Sequence, residues 1–183
     1  MLKHEVYYLA CDLYMKKIRF GIIGAGYIAQ KGFLPALKIS KKAKLIALAS
    51  RSIHNAKLLS KKFNCEYEDS YESLLKRKDI DAVYIATIPS THEKLILLAA
   101  KYRKHILCEK PIVLSSKSAK KIVEYCNQKN VGIFEGFMYQ FHRQHQKLLD
   151  LVNSDKIGKP ILFTSSFGYS LTDKNSYRNK FEL

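Results

Sequence analysis

The stretch Gly21-Ile22-Ile23-Gly24-Ala25-Gly26-Tyr27-Ile28-Ala29 decides how the rest of the chain is read. A short apolar run, Ile18–Ile23, stops at glycines, and a helical pattern begins at Tyr27. An apolar run this short, bounded by turn residues, reads as a strand buried on both faces. Gly24, Gly26 and Ala29 match the pattern G-x-G-x-x-G/A at a strand-to-helix junction. The first glycine permits a tight turn, the second lets the backbone approach a pyrophosphate, and the small third residue lets helix and strand pack closely. The helix start, with Tyr27 and Ile28, offers free amides and a positive dipole end to phosphates. The competing reading is a glycine-rich turn that merely packs. The position at the first strand–helix turn of an alternating chain favours dinucleotide binding.

The alternation continues outward from that turn. Helical patterns cover Tyr27–Ile39, with Pro35 as an internal disturbance, then Ser52–Phe63, Ser70–Lys76, His92–Tyr102 and Ser115–Gln128. Ile53, Ala56, Ser60 and Phe63 share one face of the second of these. Strand patterns cover Leu45–Ala49, Ala82–Thr87, His105–Glu109 and Val131–Phe137. Repeated strand–helix–strand units predict a doubly wound, parallel α/β sheet of the Rossmann type with right-handed crossovers. After Phe137 the pattern changes to a helix over Gln144–Val152, a turn at Ile157-Gly158-Lys159-Pro160 and one long strand over Ile161–Tyr169. A lone strand satisfies neither its backbone nor its apolar face. The expected organisation is therefore an extension over 1–14, a Rossmann domain over 15–137, and over 138–183 the incomplete start of a truncated α+β second domain. Residues 1–14 do not share the alternating pattern that begins at Ile18. They read either as an upstream extension, with Met15 as initiator, or as an ordinary N-terminal helix or tail.

Composition narrows the partners. The chain has 183 residues, with 47% apolar and 26% charged, which excludes general disorder. No apolar run approaches the ~20 residues of a membrane span. Lys and Arg number 32 against 16 Asp and Glu, a net charge of +16. Only six of the 32 are Arg, and the lysines are scattered rather than clustered. That is a solvated, lysine-rich surface biased toward anionic ligands, and a poor match to a nucleic-acid patch. Cys11, Cys65, Cys108 and Cys126 fit neither a zinc site nor a disulfide framework, so no metal is expected and a reducing cytoplasm is the simplest setting.

Three further segments fall at the carboxyl ends of strands. Ser50-Arg51 stands where an NAD enzyme usually carries an acid for the ribose 2′-hydroxyl. A hydroxyl and a guanidinium suit a 2′-phosphate instead, so NADP(H) is preferred over NAD(H). The alternative is an Arg on an exposed helix start with no ligand. Thr87-Ile88-Pro89-Ser90-Thr91-His92 lies by the cofactor crevice, with Ser90 or Thr91 as the cap of the next helix. Thr87, Pro89, Ser90 and His92 are its candidate cofactor contacts. A histidine there is more often a helix-start residue than a catalytic one. Glu109-Lys110-Pro111 closes the next strand. X-Pro bonds adopt cis far more readily than others. Lys110 there is placed to hydrogen-bond a substrate hydroxyl and orient it for hydride loss. A surface lysine before a proline turn is the plainer alternative.

Taken in order, these pieces resemble the glucose–fructose oxidoreductase/inositol dehydrogenase (Gfo/Idh/MocA) family of NAD(P)-dependent oxidoreductases. The resemblance rests on Gly21–Ala29, Ala49-Ser50-Arg51, Tyr71-Glu72-Ser73-Leu74-Leu75, Asp79–His92, Glu109-Lys110-Pro111 and Glu135–His142, and it runs from about Met15 to the end. It implies hydride transfer between a nicotinamide and a hydroxyl carbon of a sugar, inositol, nucleotide sugar or dihydrodiol. It implies that Lys110 contacts substrate and nicotinamide ribose, that Glu109 lies near the nicotinamide, and that Pro111 sets the turn. Arg143 departs from the pattern, where many members carry proline. The resemblance also assigns the substrate pocket, an acid/base residue and often a dimer face to a second domain beyond the matched segment. His142 and His145 do not stand at the acid/base position. The alternative is a catalytically inactive nucleotide-binding remnant, or a subunit completed by a partner chain or homo-oligomer.

Overall fold

The computed structural model describes residues 16–168. The expectations for Met1–Tyr14 and for Tyr169 onward lie outside the described residues. Six strands form one parallel sheet: β1 Ile18–Ile23, β2 Ala43–Ala49, β3 Glu66–Glu68, β4 Ala82–Ile85, β5 His105–Cys108 and β6 Ile133–Glu135. Their order is β3-β2-β1-β4-β5-β6, the Rossmann arrangement. The winding direction reverses between β1 and β4, and the crevice of such sheets opens at that point.

Parallel strands need apolar residues on both faces. Ile22, Leu48 and Tyr84 point to one face, under α1 (Leu34–Ile39) and α2 (Ile53–Phe63). Ile23, Ala49, Ile85 and Cys108 point to the other, packed by α3 (Tyr71–Lys76), α4 (His92–Lys101) and α5 (Ser116–Gln128). Ile53 lies outside the buried face predicted for α2; Leu59 takes its place beside Ala56 and Ser60.

Three local expectations are corrected. The helix predicted over Tyr27–Ile39 contains a π-helical segment, Ala29–Phe33, before α1. Pro35, in the first turn of α1, lacks the N–H that a regular α ladder needs, and the wider turn sits just ahead of it. β3 carries the sequence Glu-Tyr-Glu, with no apolar signal; it is a polar edge strand beside β2. Its two carboxylates pair with Arg77 at 2.6 and 3.0 Å. Finally, residues 161–168 form no strand, in contrast to the long one their apolar pattern predicts. No neighbouring strand among the described residues offers them a ladder, and Ile161, Leu162 and Phe167 are 97%, 84% and 92% exposed.

The chain divides into two compact units after Gly136. The second contains a 3₁₀ turn, Met138–Phe141, and α6, Arg143–Asn153. No helix among the described residues is long and apolar enough to cross a membrane.

The amino edge of the sheet is tied by one ion pair. Asp81 accepts from the Arg19 backbone N–H at 2.9 Å and from its Nε and Nη2 at 2.9 and 2.7 Å. The Arg19 hydrogen bonds hold the Asp81 carboxyl down at about 2. A carboxyl lowered in the folded state adds stability above its unfolded value of ~3.9 and loses it as pH falls toward 2. Asp81 is 34% exposed, so solvent screens the pair. Asp81→Asn is expected to cost about 1 kcal/mol at pH 7, with the cost shrinking as pH falls through ~2, read by urea unfolding at pH 7 and at low pH.

Candidate functional site

The predicted site residues meet along the carboxyl edge of the sheet, at the ends of β1, β2, β4 and β5. The ladder runs on past the strand ends: Gly24 N–H donates to Ala49 O at 3.0 Å, Ala86 N–H to Ile23 O at 2.9 Å, and Glu109 N–H to Ile85 O at 2.9 Å. These bonds hold the loops as a rigid rim.

The two glycines of the first turn do different work. Gly24 has φ +93°, and a Cβ there would stand 2.9 Å from Thr87 Cγ2 and 3.0 Å from Ala86 O. The fold itself demands glycine at that position. Gly26 has no such constraint: a Cβ would meet only Ala86 O, at an ordinary 3.7 Å. The backbone at Gly26 is thus open to close approach from outside the turn. Ala29, fully buried, lets the following helical segment sit close to β1. Tyr27 is exposed, and Ile28 is partly buried on the core. Gln30 Nε2 donates to Ala25 O at 2.8 Å and braces the turn.

At the end of β2, Ser50 Oγ accepts from Ser52 N–H at 3.4 Å, which leaves its own proton free to donate. Arg51 is exposed, and no acidic side chain among the described residues forms an ion pair with it. Ser52 caps α2 by accepting from Asn55 N–H at 3.3 Å.

At the end of β4, Thr87 and Thr91 share a hydrogen bond at 2.7 Å, and Thr91 Oγ1 donates to Ile88 O at 2.8 Å. Thr91 thus precedes α4 without capping it through its side chain. Pro89 is buried and Ser90 is exposed. His92 is fully buried, with Nδ1 2.9 Å from Pro111 O and Nε2 3.2 Å from Thr87 O. Both ring nitrogens face backbone carbonyls of the chain itself. The ring ties the loop after β4 to the turn after Lys110.

At the end of β5, the Lys110–Pro111 bond is cis. Lys110 is exposed and forms no ion pair among the described residues. Glu109 is half-buried. Its Oε1 accepts from Tyr84 Oη at 2.6 Å, and its Oε2 accepts from Lys110 N–H at 3.3 Å. Sequence reasoning missed Tyr84. The signal available was its place in a buried strand, on the same face as Leu107 and therefore Glu109. Cys108 is buried at the same edge; burial and then the nearby carboxylates push its thiol up, so it is no nucleophile. No group of three or more His, Cys, Asp or Glu among the described residues is arranged to hold a metal. A groove of about 790 Å³ lies between α4 and α5, with Ser90 among its lining residues. Surface lysines and helix side chains line it, without the convergent backbone amides of the glycine turn.

The Gfo/Idh/MocA oxidoreductase model, described as an NAD-binding Rossmann fold, matches residues 18–137. This chain belongs to that family. It is 32% identical over 168 residues to dTDP-3,4-didehydro-2,6-dideoxy-alpha-D-glucose 3-reductase of Saccharopolyspora spinosa, covering 92% of this chain and 51% of that protein. It is 33% identical over 147 residues to myo-inositol 2-dehydrogenase of Thermotoga maritima, covering 78% and 43%. Among solved structures, a 3-ketoreductase from Actinomadura kijaniata in complex with NADP aligns with a TM-score of 0.74 at 33% identity, over 78% of this chain and 46% of the other. The chain thus spans about half the length of the curated relatives it matches. The expected Rossmann class and family membership hold.

Proposed function

We propose that this chain binds NADP(H) across the carboxyl edge of its sheet and is the nucleotide-binding half of an oxidoreductase acting on a hydroxyl carbon of a sugar, inositol or similar polyol. The carrying observation is the space above Gly26, which no internal contact requires. A pyrophosphate needs such backbone access, and the helix start beyond the turn supplies amides and a positive dipole end. When bound, the cofactor supplies hydride chemistry at its nicotinamide. The chain's own residues hold it. Gly24, Gly26 and Ala29 shape the phosphate cradle, Ser50 donates a hydrogen bond, and Arg51 supplies charge for a 2′-phosphate. Thr87 and Ser90 flank the crevice, while Glu109 and Lys110 present a carboxylate and an ammonium on the far side of the switch point. Lys110 orients a substrate hydroxyl by hydrogen bonding.

The match covers about half of each relative, which supports reading these residues as the nucleotide-binding half of such an enzyme. The three described cysteines are free, which supports work in a reducing cytoplasm.

Calorimetry with NADP⁺ and NAD⁺ tests the cofactor. Arg51→Ala is expected to weaken NADP⁺ by ~1.5–3 kcal/mol, the scale of a hydrogen bond to a charged group, with little change for NAD⁺. Equal loss of both would count against Arg51 as the 2′-phosphate ligand.

A further inference from the structure

Tyr84 is buried to 3% exposure in the middle of the sheet. Phe33 stacks on its ring at 4.0 Å between centroids and 22° between planes, and Phe20 meets Phe33 edge-on at 5.4 Å. The ring is therefore clamped, and its hydroxyl can move only slightly. That hydroxyl reaches along the sheet to Glu109 Oε1 at 2.6 Å. A buried phenol needs one hydrogen-bond partner. Here it has selected a carboxylate at the rim of the crevice, where water was available to serve the carboxylate instead. Burial, and then the hydrogen bond to Glu109, push the phenol well above the ordinary tyrosine range, so it remains an O–H donor.

Glu109 is held at its second oxygen as well, by Lys110 N–H at 3.3 Å. A Cβ at Gly136 would come within 3.4 Å of Glu109 Oε1 and 3.3 Å of Cys108 O, so a glycine there leaves the carboxylate its room. Side chains alternate along a strand, so Glu109 follows Leu107 onto the sheet face that α1 covers. Ala25, Ile28 and Ala29 of the glycine turn and the helix start pack on the same face. The carboxylate thus lies on the glycine-turn side of the sheet, across β4 from the turn, in the half of the crevice opposite Arg51. Each fixed oxygen keeps a lone pair for a further donor.

We propose that Tyr84 is a positioning residue: its clamped phenol fixes the Glu109 carboxylate so that it accepts hydrogen bonds from the nicotinamide riboside half of a bound dinucleotide. This rests on the dinucleotide-binding reading above. The donors on that half are ribose hydroxyls and the carboxamide N–H₂, and a freely rotating carboxylate would lose rotamer entropy to meet them. The adenine half, on the β2 side, gains nothing from Glu109.

The test uses the full chain, calorimetry, and two ligands: NADP⁺ and adenosine 2′,5′-bisphosphate, which carries only the adenine half. Tyr84→Phe keeps the stack on Phe33 and removes one oxygen. It is expected to weaken NADP⁺ about tenfold, the scale of one hydrogen bond to a charged group, and to leave the bisphosphate within about twofold. Glu109→Gln keeps an acceptor for the phenol but loses the charge, and is expected to show the same split. The double variant is expected to lose little beyond the single ones, because the two side chains act as a unit. Equal weakening of both ligands by Tyr84→Phe marks a merely structural tyrosine and overturns the proposal, as does Glu109→Gln with unchanged NADP⁺ affinity. Wild-type chain that binds neither ligand overturns the dinucleotide reading itself, and the proposal with it.

Discussion

Gly26→Val is expected to leave a folded chain that no longer binds a dinucleotide, whereas Gly24→Ala is expected to damage the fold first. The two positions stand two residues apart and differ in what surrounds them. At Gly24 the backbone has φ +93°, where a side chain costs ~1–2 kcal/mol per residue, and a Cβ would press on Thr87 and Ala86 at 2.9–3.0 Å. At Gly26 the backbone is ordinary and the nearest atom to a Cβ is 3.7 Å away. A valine there adds methyl groups that fill the phosphate approach while the protein tolerates them. The expected loss of NADP⁺ affinity is at least ~100-fold, about 3 kcal/mol, with a melting temperature close to wild type. Calorimetry and thermal unfolding on both variants check this. A Gly26→Val chain that is folded and still binds NADP⁺ with native affinity would place the pyrophosphate elsewhere.

That difference between the glycines was not legible in the sequence, where both are simply members of one pattern. What was legible came from burial. β1 and β4 lie inside a sheet covered on both faces, so their apolar runs had to stand out, and with the 10–15-residue helical patterns between them the strand order had few alternatives. β3 was invisible because an edge strand with charges is stabilised by Arg77 across the chain rather than by apolar burial. The 161–168 segment failed for the opposite reason. Its apolar pattern is strand-like, but a strand exists only where a second one meets it. The site divides in the same way. Ser50, Arg51 and Lys110 were legible because strand ends put them at one edge. The His92 contacts with Thr87 O and Pro111 O, and the Tyr84 bond to Glu109, join residues 5 to 25 positions apart and depend on register and ring orientation. No local pattern encodes those.

The 183-residue chain by itself is expected to show little or no dehydrogenase turnover. Hydride transfer needs the nicotinamide, a carbinol carbon and a proton acceptor held in one geometry, and effective molarity collapses when one of them is free. The carboxyl edge provides the cofactor cradle and an exposed Lys110. The resemblance assigns the substrate pocket and the acid/base residue to the half of the relatives that this chain does not span. Ile161, Leu162 and Phe163 are exposed on the second unit, and self-association of the isolated chain through such apolar residues is expected in sedimentation experiments. Supplying a second half, fused from the myo-inositol dehydrogenase relative, is expected to restore turnover. Lys110→Ala in that fusion is then expected to remove at least ~100-fold of it, the usual contribution of a placed proton-handling group. The assay tracks absorbance of reduced cofactor with sugars, inositols and dihydrodiols. Turnover near ~10 per second by the 183-residue chain with no added polypeptide would mean that the nucleotide half carries its own substrate pocket.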